Sequence, residues 1–120
     1  MLNVNLDNVG DVAIVECEGS IIDGEDALQL RDAVTGPAGN RAIVVDLSKV
    51  SVTGNQGLSM VLFLQRWARY RGVQLKFFNP CPSVRRDLEH AISPCELEFV
   101  SLAEVVVLLI DAANCQTVAV

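Results

Sequence analysis

Residues 41–72, RAIVVDLSKVSVTGNQGLSMVLFLQRWARYRG, read as a buried strand, an abrupt polar break and a helix that begins inside that break. Ala42-Ile43-Val44-Val45-Asp46-Leu47 is a continuous apolar run closed by an acid, the pattern of a strand covered on both faces in a parallel sheet. The strand is expected to end where Asp46 and Ser48 meet solvent. From Leu58 to Arg71 the inward stripe recurs at helical spacing, at Leu58, Val61, Leu62, Gln65 and Ala68. Arg66, Arg69 and Arg71 come late, where cations complement the negative helix end, and Gly72 is the stop. A further strand is expected from Val73 to Phe78. A loop at the carboxyl end of a parallel strand, feeding a helix, turns backbone N–H groups and a helix dipole toward solvent, where phosphates and partners are met. Function is therefore expected to concentrate at Thr53-Gly54-Asn55-Gln56-Gly57.

Outward from this unit, Leu2, Val4 and Leu6 alternate with Asn3, Asn5 and Asp7. A turn at Asn8 to Gly10 and a second strand from Val12 to Cys17 complete an antiparallel hairpin. Glu25 to Thr35 carries Ala27, Leu28, Leu30, Ala33 and Val34 inward with acids in the first turn, as an amphipathic helix ended by Gly36-Pro37. Pro82 to Ala91 reads as a short helix with Val84 and Leu88 inward and Leu97 to Val100 as a short strand. Leu102 to Ala113 reads as a final helix, against the strand preference of Val105-Val106-Val107. The order β-β-α-β-α-β-α-β-α implies an α/β fold: a mixed, largely parallel sheet packed mainly on one face by four helices.

A chain of 120 residues with 51% hydrophobic content can bury one core, so residues 1–120 are expected to form a single domain. The net charge of -6 and the scattered arginines argue against nucleic acid, whose phosphates would be repelled. Met1 to Asp7 lacks a basic segment followed by an apolar one, and Val105 to Ile110 is too short to span a bilayer. A cytoplasmic protein without membrane insertion is expected. Cys17, Cys81, Cys95 and Cys115 lie far apart, with no C-x-x-C pair and His90 as the sole histidine. They read as reduced, mostly core-filling thiols, and neither a metal site nor a cofactor is expected. His90 has no nucleophile or acid at catalytic spacing and reads as solvated, so no catalytic residues can be assembled. Asp23, Glu25 and Asp26 are what a helix macrodipole favours around a first turn.

Along the central helix, Met60, Phe63, Leu64 and Trp67 recur at three- and four-residue spacing, on a face other than that of Leu58, Val61, Leu62 and Ala68. One stripe must face the sheet. The other is either buried by neighbours over a wide arc or left near solvent, where Met and aromatic residues suit an interface core. Met60, Phe63 and Trp67 are the candidate partner-binding face.

Several motifs together resemble the STAS domain. They are Gly19, Gly24-Glu25 opening a helix with Leu30-Arg31 and Val34, and Val45-Asp46-Leu47-Ser48-Lys49-Val50. Gly57-Leu58, Arg69 and Gly72, Gln74-Leu75-Lys76, Asn79-Pro80 and Leu88 complete the set. The family includes bacterial anti-sigma factor antagonists and the soluble parts of sulfate transporters. The resemblance implies a protein switch, in which a kinase-like anti-sigma factor phosphorylates a Ser at the helix start and thereby loses its grip on the antagonist. A phosphate there adds roughly -1.5 to -2 charge in the middle of a contact surface.

The chain departs from that pattern at the switch. Gly54 stands where the family has Asp, Asn55 where it has the phosphorylated Ser, and Gln56 where it has Ser, Ala or Thr. None can take a phosphate, and Asn55 is a degenerate phosphosite. Asn55 is expected to serve as helix N-cap, worth about 1 kcal/mol. It is either a cap alone or a cap that also holds the loop ready for docking. Ser51 and Thr53 are the alternative hydroxyls, with Thr53 expected partly buried. The implied function is a non-catalytic interaction module that binds a kinase-like anti-sigma factor or another STAS protein; homodimerisation stays open. The alternative is a soluble STAS subunit of an ABC-type lipid-transport assembly or a nucleotide-sensing STAS domain, although no Gly-rich loop with a neighbouring Lys is present.

Overall fold

The apolar run at residues 42–47 forms the first half of β3 (Ala42–Thr53), the middle strand of five. The structure is a computed structural model and describes residues 2–36, 39–92 and 97–118. The chain runs β1 (Leu2–Val9), β2 (Val12–Ile21), α1 (Gly24–Thr35), β3, α2 (Asn55–Arg71), β4 (Gln74–Phe78), α3 (Pro82–Ala91), β5 (Phe99–Val100) and α4 (Leu102–Val118). In the sheet the strands lie in sequence order. β1 is antiparallel to β2, and every later pairing is parallel. The fold class is the mixed, largely parallel α/β arrangement that the element order implied.

Strand alternation divides the apolar residues between two layers. Ala13 and Val15 of β2, Ile43 and Val45 of β3, and Leu75 and Phe77 of β4 meet Leu30 and Val34 of α1, Val61 and Leu64 of α2, and Val84 and Leu88 of α3 in the main core. The intervening residues Val12, Ala42 and Val44 point the other way and are covered by Val105 and Ala112 of α4. Three helices therefore share one face and α4 takes the other. β3 is buried on both, which is why its first half reads as an unbroken apolar run.

Several boundaries differ from the expected ones. The hairpin turn sits at Gly10 and Asp11, because Val9 already pairs with Val12. β5 is two residues long. β3 does not end at Asp46 but continues to Thr53, pairing Glu18 with Lys49, Gly19 with Val50, Ser20 with Val52 and Ile21 with Thr53. Two register shifts, one after Asp46 and one after Val50, each place an extra residue in β3 and break its alternation, so its later buried positions are Val50 and Thr53. Asp46 accepts hydrogen bonds from the Ser48 backbone N–H (2.9 Å) and Oγ (2.6 Å) at the first shift, and Ser51 Oγ donates to the Gly19 carbonyl across the second. Pro37 and Cys95 lie outside the described residues.

Helix ends follow from local chemistry. At α1, Asp23 Oδ1 accepts from the Asp26 N–H at 2.9 Å, and Asp26 Oδ2 accepts from the Ile22 N–H at 3.2 Å. These bonds hold the acid cluster as a cap. At α2, Gly72 adopts φ 71°, a left-handed conformation glycine reaches without strain, and its N–H returns to the carbonyls of Ala68 and Arg69.

Candidate functional site

The loop between β3 and α2 is drawn tightly against the end of β2. Gly54 N–H donates to the Ile21 carbonyl at 2.9 Å, and the Gly54 carbonyl accepts the first helical bond, from Leu58 N–H, at 2.9 Å. Gly54 is therefore the N-cap, with extended backbone and no side-chain bond, and Asn55 is the first helical residue. This corrects the expectation that Asn55 caps α2: β3 runs to Thr53 and the chain turns into the helix at Gly54, whose carbonyl already takes the first helical bond. Asn55 and Gln56 are exposed, whereas Gly57 is buried. A Cβ at Gly57 would run into the Ile21 carbonyl oxygen and side chain, so the first turn of α2 can approach β2 only with glycine there.

Beside this turn an open groove of about 540 Å³ runs between α1 and α2, lined by Leu28, Asn55, Gln56, Ser59, Met60 and Phe63 along with Gly24 and Ala27. No charged side chain lines it. Phe63 is 49% exposed, and Leu28 is 46% exposed rather than turned inward as expected. Ala27, Leu30 and Val34 set the core face of α1, and Leu28 falls about 100° away from Ala27 on a helix. Exposed Ile22 and Val52 extend the apolar surface around the loop, since the Ser20–Val52 and Ile21–Thr53 pairings bring these chain segments side by side.

The structure brings Met60 and Phe63 to the groove together with Asn55 and Gln56. It places Trp67 elsewhere: half-buried against the main core, with the Arg71 guanidinium 6.0 Å from its ring centroid. Leu64, grouped with them by spacing, is fully buried, and the core face of α2 is Val61, Leu64, Gln65 and Ala68. Ser51 is exposed. Thr53 is 7% exposed, and its Oγ1 is buried without a hydrogen-bond partner. Ser59, Ile22 and Val52 were not singled out from sequence, and Leu28 only as an inward residue of α1. Only their juxtaposition across two helices and a bulged strand marks them.

Other groups sort by environment. Burial, reinforced by the Asp46 carboxylate, pushes the Cys17 thiol up to about 12, which makes it an inert core residue. Cys81 stands at the N-cap of α3, where the Ser83 hydroxyl first and the Val84 N–H second hold its thiol below the usual range. The Ile22 N–H holds the Asp26 carboxyl below the ordinary carboxylate value. Among the described residues no group of three His, Cys, Asp or Glu could hold a metal, and no helix is long and apolar enough to cross a membrane.

The sheet order, the helix layers and the glycine-tight entry into α2 define the class, an α/β domain that presents a strand-to-helix corner. The chain belongs to the STAS domain family, whose model matches residues 3–105. Among solved structures it resembles a candidate anti-sigma factor antagonist from Thermotoga maritima at 17% identity and TM-score 0.74, covering 88% of this chain and 93% of that one. It also resembles the Bacillus cell-fate determinant SpoIIAA in its phosphorylated form, at 16% identity and TM-score 0.66, covering 87% and 96%. The same fold recurs in the murine anion transporter Slc26a9, at 22% identity and TM-score 0.61, over 70% of this chain and 14% of that one. No curated protein sequence matches the chain.

Proposed function

We propose that this protein is a non-catalytic, cytoplasmic docking module of the anti-sigma factor antagonist type, whose partner is a kinase-like anti-sigma factor or another STAS protein. Its contact surface is the corner formed by Thr53 to Gly57, the groove residues Met60 and Phe63, and the flanking Ile22, Leu28 and Val52. The observation that carries this reading is the uncharged apolar groove opening beside the exposed first turn of α2. A groove without ionic groups takes up an apolar element of a partner, with a central aromatic as anchor and polar residues at the rim.

Docking here is independent of phosphorylation at the usual position, because Asn55 offers an amide where a hydroxyl would be needed. Thr53 is no substitute, since a kinase cannot reach a hydroxyl that is 7% exposed. Ser51 is exposed but lies back along β3, bound to the Gly19 carbonyl. The structural relatives include SpoIIAA in both unphosphorylated and phosphorylated forms. This chain would correspond to the unmodified state alone. The test is calorimetric titration of the host's kinase-like anti-sigma factor with the wild-type protein, in the presence and absence of ATP. Binding unchanged by ATP is expected; binding abolished by ATP, with phosphate on Ser51 or Thr53, would overturn the reading.

A further inference from the structure

The apolar outer side of α4 lies on the sheet face away from the α1–α2 groove and has no part in the docking corner. Val105 and Ala112 point into the sheet, with Leu108 and Leu109 half-covered beside them. The outer side carries Leu102, Val106, Val107 and Ile110 at 65%, 43%, 57% and 54% exposure. At about 100° per residue, Leu102, Val106 and Ile110 form one ridge. Ala103 and Val107 flank it and, with Glu104 and Leu108, line a second groove of about 360 Å³ whose other wall is Gln74, Lys76 and Val100, so the groove carries one acid and one base. The charges on α4 are Glu104 and Asp111, both on one edge, and the helix contains no Lys or Arg. A helix apolar on its solvent side as well as its core side belongs in an interior, so something covers this face.

Charge and area identify the cover. A helix that lies on a membrane surface needs basic residues on its polar face to meet anionic headgroups, and this helix has none in a chain of net charge -6. The four outer side chains expose on the order of 400 Å², the scale at which a patch on a monomer marks a contact. Two such faces with their flanking grooves bury on the order of 1,200 Å², where specific, stable interfaces begin.

We propose that the outer face of α4 seats a second copy of this chain, in a two-fold pairing that sets the ridge Leu102, Val106 and Ile110 of each subunit against the flanking groove of the other. The ridge lies on α4 and the groove beside it, between α4 and the β4–β5 edge of the sheet, so each subunit presents both halves of the contact, and a two-fold closes the assembly at two subunits. The dimer leaves both α2 corners open on its outer sides. If the docking reading above holds, it is a bivalent antagonist.

Sedimentation equilibrium of the full chain tests this, whatever binds the α2 corner. The wild-type mass is expected at twice 13.0 kDa. Ile110→Lys is expected to sediment as a monomer with an unchanged circular dichroism spectrum, and Phe63→Glu, on the opposite face, as a dimer. If the lysine variant does not fold, Ile110→Ala adds no charge and should raise the dimer dissociation constant about tenfold. A wild-type chain that is monomeric up to about 100 µM would overturn the proposal. So would a dimer indifferent to Ile110→Ala, or a monomer that pellets with phosphatidylglycerol vesicles.

Discussion

Thr53 and Gly57 are the residues at which the docking corner is set. Thr53 buries a hydroxyl with no hydrogen-bond partner. Replacing it by the isosteric Val removes that desolvation cost, so Thr53→Val is expected to raise stability by about 1 kcal/mol in urea denaturation. Gly57 has the opposite sensitivity. Its missing side chain admits the Ile21 carbonyl, and Gly57→Ala should cost about 1–3 kcal/mol, since backbone must move to make room. Asn55 separates stability from binding. Asn55→Asp places a negative charge at the first position of a 17-residue helix, where the dipole favours it by about 0.3–1 kcal/mol. The same charge enters the rim of an uncharged groove and is expected to weaken docking by about tenfold or more. A variant that melts higher and binds worse is the expected signature, read by calorimetry and thermal denaturation together.

At the scale of the element, α1 is held by its first turn. The folded Asp26 carboxyl lies below its ordinary value because the Ile22 N–H donates to its charged form. A depressed folded pKa stabilises above the ordinary carboxylate value and is lost as pH falls through the folded one. Asp26→Asn should therefore lower stability at neutral pH, change it little once the pH is below both carboxylate values, and so flatten the acid limb of the stability–pH curve measured by urea denaturation. The elements of this fold were largely legible in sequence: the apolar run of β3, the alternation of β1, the helical spacing of α2 and its Gly72 stop. The second half of β3 was not, because two bulges turn its alternation into a three-residue rhythm that resembles a loop. The cap was placed at Asn55 instead of Gly54 for a separate reason: asparagine is the better side-chain cap, whereas here the Gly54 carbonyl takes the first helical bond with no side chain involved. Leu28 and Trp67 were misplaced for a related reason: spacing along one helix shows which residues share a face, whereas the neighbouring element decides whether that face is buried.

Across the whole molecule, the sheet separates two surfaces with different tasks. One face carries α1 to α3 and the uncharged corner at Asn55, and the other carries α4 with its apolar ridge. Phe63 is half exposed at the centre of the first surface, so Phe63→Glu should leave the melting temperature nearly unchanged while costing at least about 2 kcal/mol of partner binding. The most direct test of the docking account is purification of the tagged wild-type protein and the Phe63→Glu variant from the native host, with mass spectrometry of bound partners and modified hydroxyls. The account predicts a kinase-like anti-sigma factor or a second STAS protein with the wild type, its loss with Phe63→Glu, and Ser51 and Thr53 unmodified. Recovery of a transporter ATPase held equally by both proteins would contradict it.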